Sequence, residues 1–599
     1  METCPLSTNK TLVETFFFRQ SRLTMAASNN LALVSAWADV LYEAICKDVE
    51  EKPTVKGAAA FRDCVLEQCT DKAVVLPACR IGPQACSALL KLLKAKDSAN
   101  VATFAVRRLD LSHNALSDEG VIPLSQLIRA LPGLKQLCLQ NNAIGNEGVV
   151  ELSKTLASNS SLQILDLSSV DHLANLNINS SGGPNSAAAA GSSSAIGLGG
   201  SSSAAGNVPS VSGATGGSNV SPALNASNTA NMVASKRNNI EAKSATQLAA
   251  ALTANRSLSA LSLKGNPLGK GSPAAFAKLL ETLAFLLQRN KALTYLDLEN
   301  TSLGSKGCSA LCAAAASNRS LRTLSLARNG AGPDAGKAVQ SLLSENESLI
   351  ALHLEGNNLG RSFAAVCSAL CWSAPPTFPR PAGSIDGNCS LIILDVAGND
   401  VGDDGAEALA EALSTNRTLT SVNVARNNIT EKGALAIARA LSGNAVLSSL
   451  NLSSNSIKNP PVVALAECMV TNGSLISLDL CSCKITDDAA VALVTAVGHN
   501  ERAALRKLRL RDNYISAGAG ELMADALYRN KSLTVADLRG NQIDHVRLTK
   551  IKAMCQRNLS ELRQAEPRRL RKEIARLKGE QVKLRRAERT LRQQQQQID

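Results

Sequence analysis

The chain has 599 residues, 45% hydrophobic but only 3% aromatic, with a formal charge of +13. That hydrophobicity excludes a wholly disordered chain, and the shortage of aromatics means a core of Leu and Ala in thin layers. Sixteen cysteines over this length exclude a small disulfide scaffold and fit reduced thiols in a cytoplasmic protein; no apolar run reaches the ~18 residues of a membrane span, and no basic-then-apolar signal pattern opens the chain.

Residues 1–70 lack the periodicity that begins at residue 71. Leu33, Trp37, Val40, Leu41 and Ile45 recur at helical spacing, which predicts a helix within Thr24–Val49. Its expected role is to cover the raw apolar end of a repeat stack. Phe16, Phe17 and Phe18 form the densest aromatic cluster and are expected to pack on this cap.

From residue 71 to 558 one unit recurs. The first copy is irregular, with Val74, Leu76, Cys79 and Ile81; Val106, Leu109, Leu111 and Asn114 begin the second, Leu134 the third and Leu162 the fourth. The clearest copy is Leu293–Leu321. Leu293, Leu296 and Leu298 are spaced as in a short strand, and Thr301 stands where other copies carry Asn. Leu303 closes a turn, Gly307 precedes an Ala-rich helix with Leu311 inward, and Asn318 ends it. The next copies open at Leu321 and Leu349; Leu391, Leu419, Leu447 and Leu475 then follow one another at 28 residues. A fixed period of this size predicts stacked units, none able to bury its apolar face alone.

Two stretches interrupt the period. From Leu162 to Leu258 is 96 residues, one 28-residue period plus 68. The extra residues, 170–237, are rich in Ser, Ala, Gly and Asn, a composition that buries too little apolar area to order itself. They fall between strand and helix, where a long loop is tolerated. A second excursion, Trp372–Gly387, holds Pro375, Pro376, Pro379 and Pro381.

The pattern LxxLxLxxN-x-[LI], a Gly three or four residues on and then a helix, resembles the ribonuclease-inhibitor class of leucine-rich repeat. About fourteen copies carry it. The resemblance implies an α/β solenoid shaped as a horseshoe, with parallel strands on the concave wall and helices on the convex wall. Asn114, Asn142, Asn266, Asn399, Asn427, Asn455, Asn513 and Asn541 would then bond backbone groups of neighbouring turns.

The tail, 559–599, is basic: Ser560–Asp599 has twelve Lys/Arg against six Asp/Glu. After Pro567, Leu570, Ile574, Leu577, Leu584 and Leu591 fit alternating 4/3 spacing, with Gln581 and Glu588 in the remaining core places. This predicts a weak coiled-coil seam that joins two copies or pairs with another protein's helix. Its charge favours acidic partners such as tubulin tails.

No constellation points to catalysis, a metal or a cofactor. The five histidines are scattered, and Gly265–Gly271 is one residue short of a phosphate loop and lacks its Ser/Thr. The Asn-x-Ser/Thr sequons at Asn255, Asn318, Asn346, Asn416 and Asn530 fall at helix ends, so they read as products of the repeat.

The informative surface is the concave wall. The residue between the last two strand leucines faces it, and among these are Asp110, Asp166, Asp297, His353, Asp395, Asp479, Arg509 and Asp537. Tyr295, Arg511 and Arg539 adjoin them. The row is mildly acidic and turns basic near the C-terminal end, which would orient a partner. The expected function is a non-enzymatic protein-interaction scaffold. Repeats followed by a coiled coil resemble, in layout, leucine-rich-repeat proteins of centrosomes, basal bodies and cilia. The alternative is a GTPase regulator, since the repeat class also resembles Ran GTPase-activating proteins.

Overall fold

The computed structural model describes residues 30–70, 72–94, 106–169, 237–371, 388–500 and 504–564, together with Arg576. Phe16–Phe18, nearly all of 170–237, the Pro-rich 372–387 and the seam residues Leu570, Ile574, Leu577, Leu584 and Leu591 lie outside them.

Each unit folds as a three-residue strand, a turn and a helix. The strand is short because only its middle side chain points inward: Leu296 of Tyr295–Asp297 is fully buried while Tyr295 is exposed. Among the described residues fourteen such strands, from Ala73–Val75 to Val535–Asp537, form one parallel sheet in strict sequence order. Inward leucines pair in register, as Leu296 with Leu324 and Leu324 with Leu352. Strands stack at about 4.8 Å but helices need about 10 Å, so the stack curves with the sheet inside. One continuous apolar core runs from Ala38 to Cys555. Each fully buried Leu in it contributes roughly 1.5–3 kcal/mol.

The turns are held by a ladder of asparagines. Asn357 Nδ2 donates to the carbonyls of Leu326, one repeat back, and Leu354, in its own repeat, at 2.9 and 3.0 Å. Its Oδ1 accepts the N–H groups of Asn329 and Ala331 at 3.0 and 3.2 Å. The backbone just before most rungs turns left-handed, which places glycine at Gly356 (φ 67°) and Gly398 (φ 64°). Across the long interruption the ladder is unbroken. Leu165 pairs with Leu261, and Asn238 supplies the rung, accepting from Asn142 N–H and donating to the Leu139 and Leu167 carbonyls. The described repeats on either side of residues 170–236 therefore keep one register.

Before the first strand, α1 (Asn30–Asp48) packs on α3 (Pro83–Lys94), with α2 (Val55–Gln68) beside it. Asp48 accepts the N–H groups of Gly82, Gln84 and Ala85 at 2.8–2.9 Å, opening α3. Within the repeats, an Asp one unit back does the same: Asp403 accepts from Thr430 and Gly433. Leu41 and Ile45 are buried but Val40 is exposed, because it lies on the outer face of α1. Gly307 lies inside the helix Gly304–Ala316 rather than before it; a Cβ there would meet Leu303 and Phe276, so glycine permits the close packing of adjacent helices. At the other end a helix spans 545–564 and buries Ile551, Cys555 and Asn558. It passes through 558 and 559 without a break, so the start of the tail expected at 559 falls within a helix.

Candidate partner surface

Strand register lines the concave wall with three neighbouring rows. The first-position row includes Ile164, Ala260, Tyr295, Thr323, Ala351 and Ile393, each paired to the next. The third-position row runs Asp166, Ser262, Asp297, Ser325, His353, Asp395, then Asn423, Asn451, Asp479, Arg509 and Asp537. Asp110 stands two strands before Asp166, with Cys138 between. The third row, two residues further on, carries Lys264, Glu299, Glu355, Arg511 and Arg539.

The acidic row has a structural job that composition alone does not reveal. Oδ1 of Asp110, Asp166, Asp297, Asp395, Asp479 and Asp537 accepts the backbone N–H two residues ahead, at 2.9–3.3 Å. Asn423 and Asn451 do the same with their amide oxygens. This closes the strand end as an Asx turn, which explains why Asp and Asn share the row. Asp110 and Asp297 are only 8% exposed. Burial raises the Asp297 and Asp395 carboxyls, against the bonds that favour their ionised forms.

Most second oxygens are also engaged. Asp110 Oδ2 accepts from Arg108, Asp297 Oδ2 from Ser262, Asp395 Oδ2 from Asn423 and Asp479 Oδ2 from Arg509. At the C-terminal end, Arg539 grips both oxygens of Asp537 at 2.8 and 2.6 Å and holds its carboxyl below the ordinary range. Arg511 lies 3.0 Å from Asp512. The basic end is thus made of arginines paired with carboxylates.

An ion-pair chain runs beside the acidic row: Lys264 to Glu299 at 2.6 Å, Glu299 to Arg328 at 3.8 Å, and Arg328 to Glu355 at 2.8 Å. Sequence reading missed these four. Three of them follow the acidic row by two residues, which was the available signal.

Tyr295 and Ile164, each about 39% exposed, flank Ala260 on the first-position row. Burial, then Asp297, Asp166 and Glu299, push the Tyr295 phenol well above its usual range, so it stays protonated and can donate. His353 sits opposite Asp395 and is partly buried. The wall therefore combines an apolar patch around Tyr295 with an adjoining edge of carboxylates.

The sequon asparagines lie elsewhere, in a second ladder at the helix ends. Asn416 Nδ2 donates to the Leu370 carbonyl, and its Oδ1 accepts the N–H groups of Thr418 and Leu419. Asn255, Asn318, Asn346 and Asn530 are buried and bonded alike. Their amide nitrogens are committed to the fold. Gly265–Gly271 is the turn after Ala260–Ser262, with Asn266 as its rung. Among the described residues no group of three or more His, Cys, Asp or Glu is placed to hold a metal ion, and no helix is long and apolar enough to cross a membrane.

Comparison with known proteins finds the family described as Leucine Rich repeat at residues 106–125, 133–153, 289–312, 387–410, 415–438 and 471–494. Ribonuclease inhibitor of Sus scrofa is 33% identical over 176 residues, 29% of this chain and 34% of that protein. Protein CARMIL of Dictyostelium discoideum is 30% identical over 181 residues, 29% of this chain and 16% of that protein. A protein phosphatase 1 regulatory subunit 37 homolog of Caenorhabditis elegans is 31% identical over 161 residues, 27% of this chain and 16% of that protein. The matched stretches thus span about a third or less of these relatives. Together with the strand-turn-helix stack, they identify the chain as a leucine-rich-repeat protein of the ribonuclease-inhibitor-like kind.

Proposed function

We propose that the chain is a non-enzymatic scaffold that holds a protein partner against its concave wall. The observation that carries this reading is the apolar patch on the first-position row where exposed Ile164 and Tyr295 flank Ala260, beside the row of carboxylates. A half-exposed Tyr that is able to donate has the character of a binding hot spot. Two of the relatives are named for acting on another protein, a ribonuclease and a phosphatase.

The finer reading adds the tail. Its twelve Lys/Arg over Ser560–Asp599 suit an acidic surface such as tubulin tails, and its leucine spacing suits a dimer. On this reading the protein associates with the cytoskeleton, basal body or cilium. Co-sedimentation of the full chain with microtubules should be lost on deleting Pro567–Asp599; equal sedimentation with and without the tail would refute it. The Ran-type regulator rests on repeat class alone, and a GTP-hydrolysis assay that shows no acceleration removes it.

A further inference from the structure

The helix layer is not uniform along the stack. On the described helices from Ala242–Ala254 to Glu431–Gly443, Phe285 is the only large hydrophobic side chain that stands exposed, and Arg289 lies over its ring at 5.3 Å. The last three repeats differ. Val463 and Leu522 are exposed on the helices Asn459–Met469 and Ala517–Leu527, and Val470 and Tyr528 are exposed where those helices end. On the helix between them, Asp487–His499, Val491 and Ala492 are half-buried.

Charge sharpens the contrast. These three helices hold five carboxylates and neither Lys nor Arg. Asp487 is spent on the backbone N–H and the hydroxyl of Ser516, at 2.6 Å each. Glu521 and Asp525 meet cations from the next helix, 545–564: Arg547 lies 3.1 Å from Glu521, and Lys550 lies 2.7 Å from Glu521 and 3.5 Å from Asp525. Glu467 and Asp488 are exposed and have no ion-pair partner among the described residues. An apolar strip with acidic flanks suits a basic amphipathic helix.

One segment of the chain has that chemistry and is tethered beside the patch. Residues 568–592, of which the structure describes only Arg576, carry eleven Lys/Arg against three Glu, together with the leucine seam. The helix 545–564 already packs on Ala517–Leu527 through the ion pairs of Arg547 and Lys550. Only residues 565–567, ending in Pro567, separate it from Arg568. Antiparallel helix pairs are joined by loops of about 2–5 residues, so a reversal fits here. As a helix the segment would span about 37 Å, enough to cross three neighbouring helices at about 10 Å each. We propose that residues 568–592 fold back within the same chain onto the convex face of the last three repeats, with the seam on Val463, Leu522 and Tyr528 and the basic flanks toward Glu467 and Asp488. The contact buries the seam that would pair with a second helix and occupies the charges that would meet an acidic partner. Such a partner must displace the repeats' own carboxylates. The contact regulates the tail engagement proposed above and does not depend on it.

The test places a photocrosslinking amino acid at Tyr528 of the full-length protein, with the same probe at Phe285 as the reference, since both are exposed on the helix layer. Adducts are mapped by mass spectrometry in an equal mixture of isotopically heavy and light chains. The expected adduct joins position 528 to a peptide within 568–592, with both peptides carrying one isotope. Asp488→Lys combined with Leu522→Arg, both at exposed positions, should lower its yield about fivefold or more. Far-ultraviolet circular dichroism confirms that the double variant is folded. Absence of a tail adduct at position 528, an equal yield from position 285, mixed-isotope pairs that put a second copy's tail on the patch, or an unchanged yield in the double variant would each overturn the proposal.

Discussion

The turn asparagines and the concave aspartates recur at the same interval, yet they differ in what they leave over. Asn357 is fully buried and spends all four of its polar contacts on backbone of its own and the preceding repeat. Asp297 spends Oδ1 on its own backbone and turns Oδ2 to the concave face, toward Ser262. The lesson is that recurrence does not mark a binding residue. What matters is which polar atom remains after the backbone has been satisfied.

The largest expected effect breaks the buried side of this comparison. Asn357→Ala strands the Asn329 and Ala331 N–H groups in the core, while the Leu326 and Leu354 carbonyls keep Asn329 and Asn399 as donors, and should destabilise by about 2–5 kcal/mol, read by urea denaturation. A loss below about 1 kcal/mol would mean that the ladder is not structural. The reverse change sharpens the same point. Cys483 puts a weak sulfur where other copies carry an amide oxygen, and Asn513 already accepts from the Cys483 N–H. Cys483→Asn should stabilise by about 0.5–1.5 kcal/mol, raising the urea midpoint.

The concave row should respond less, and with a pH signature. Burial raises the Asp297 carboxyl, so folding favours its protonated form. Its stabilising contribution is full below the unfolded value of about 4 and is lost as pH rises through the higher folded value. Asp297→Asn removes that dependence. The wild-type stability minus that of the variant should therefore fall from acid to neutral pH, with a total change at neutral pH within about 1 kcal/mol. The smallest effect belongs to the C-terminal pairs. Arg539→Ala breaks an exposed contact to Asp537 and should shift stability by less than about 0.5 kcal/mol at physiological salt.

The sequence carried the fold because leucine spacing reports burial directly. Leu293, Leu296 and Leu298 could face only one way, and the interval from Leu162 to Leu258 showed where an insertion could be removed without a register slip. The site was harder. Asp110, Asp166 and Asp297 lie on the concave face as their spacing implies, but their backbone contacts depend on turn geometry that no residue type announces. Arg509 and Arg539 looked like a free basic end until Asp479 and Asp537 were placed beside them. Lys264, Glu299, Arg328 and Glu355 were missed because alternating charges two residues beyond a strand resemble any solvated loop. Helix-end asparagines read from sequence as the ends of helices, whereas Asn416 and its equivalents are rungs in their own right.

The central claim is that the concave wall, and not the convex helices, receives the partner. A photocrosslinking amino acid at Tyr295, compared with the same probe at exposed Ile122 on the helix Ser117–Ala130, tests it most directly in cells. The account predicts a discrete protein adduct at Tyr295 that is absent at Ile122 and is lost when Ile164→Arg is added. Adducts of equal yield at both positions, or at Ile122 alone, would contradict it.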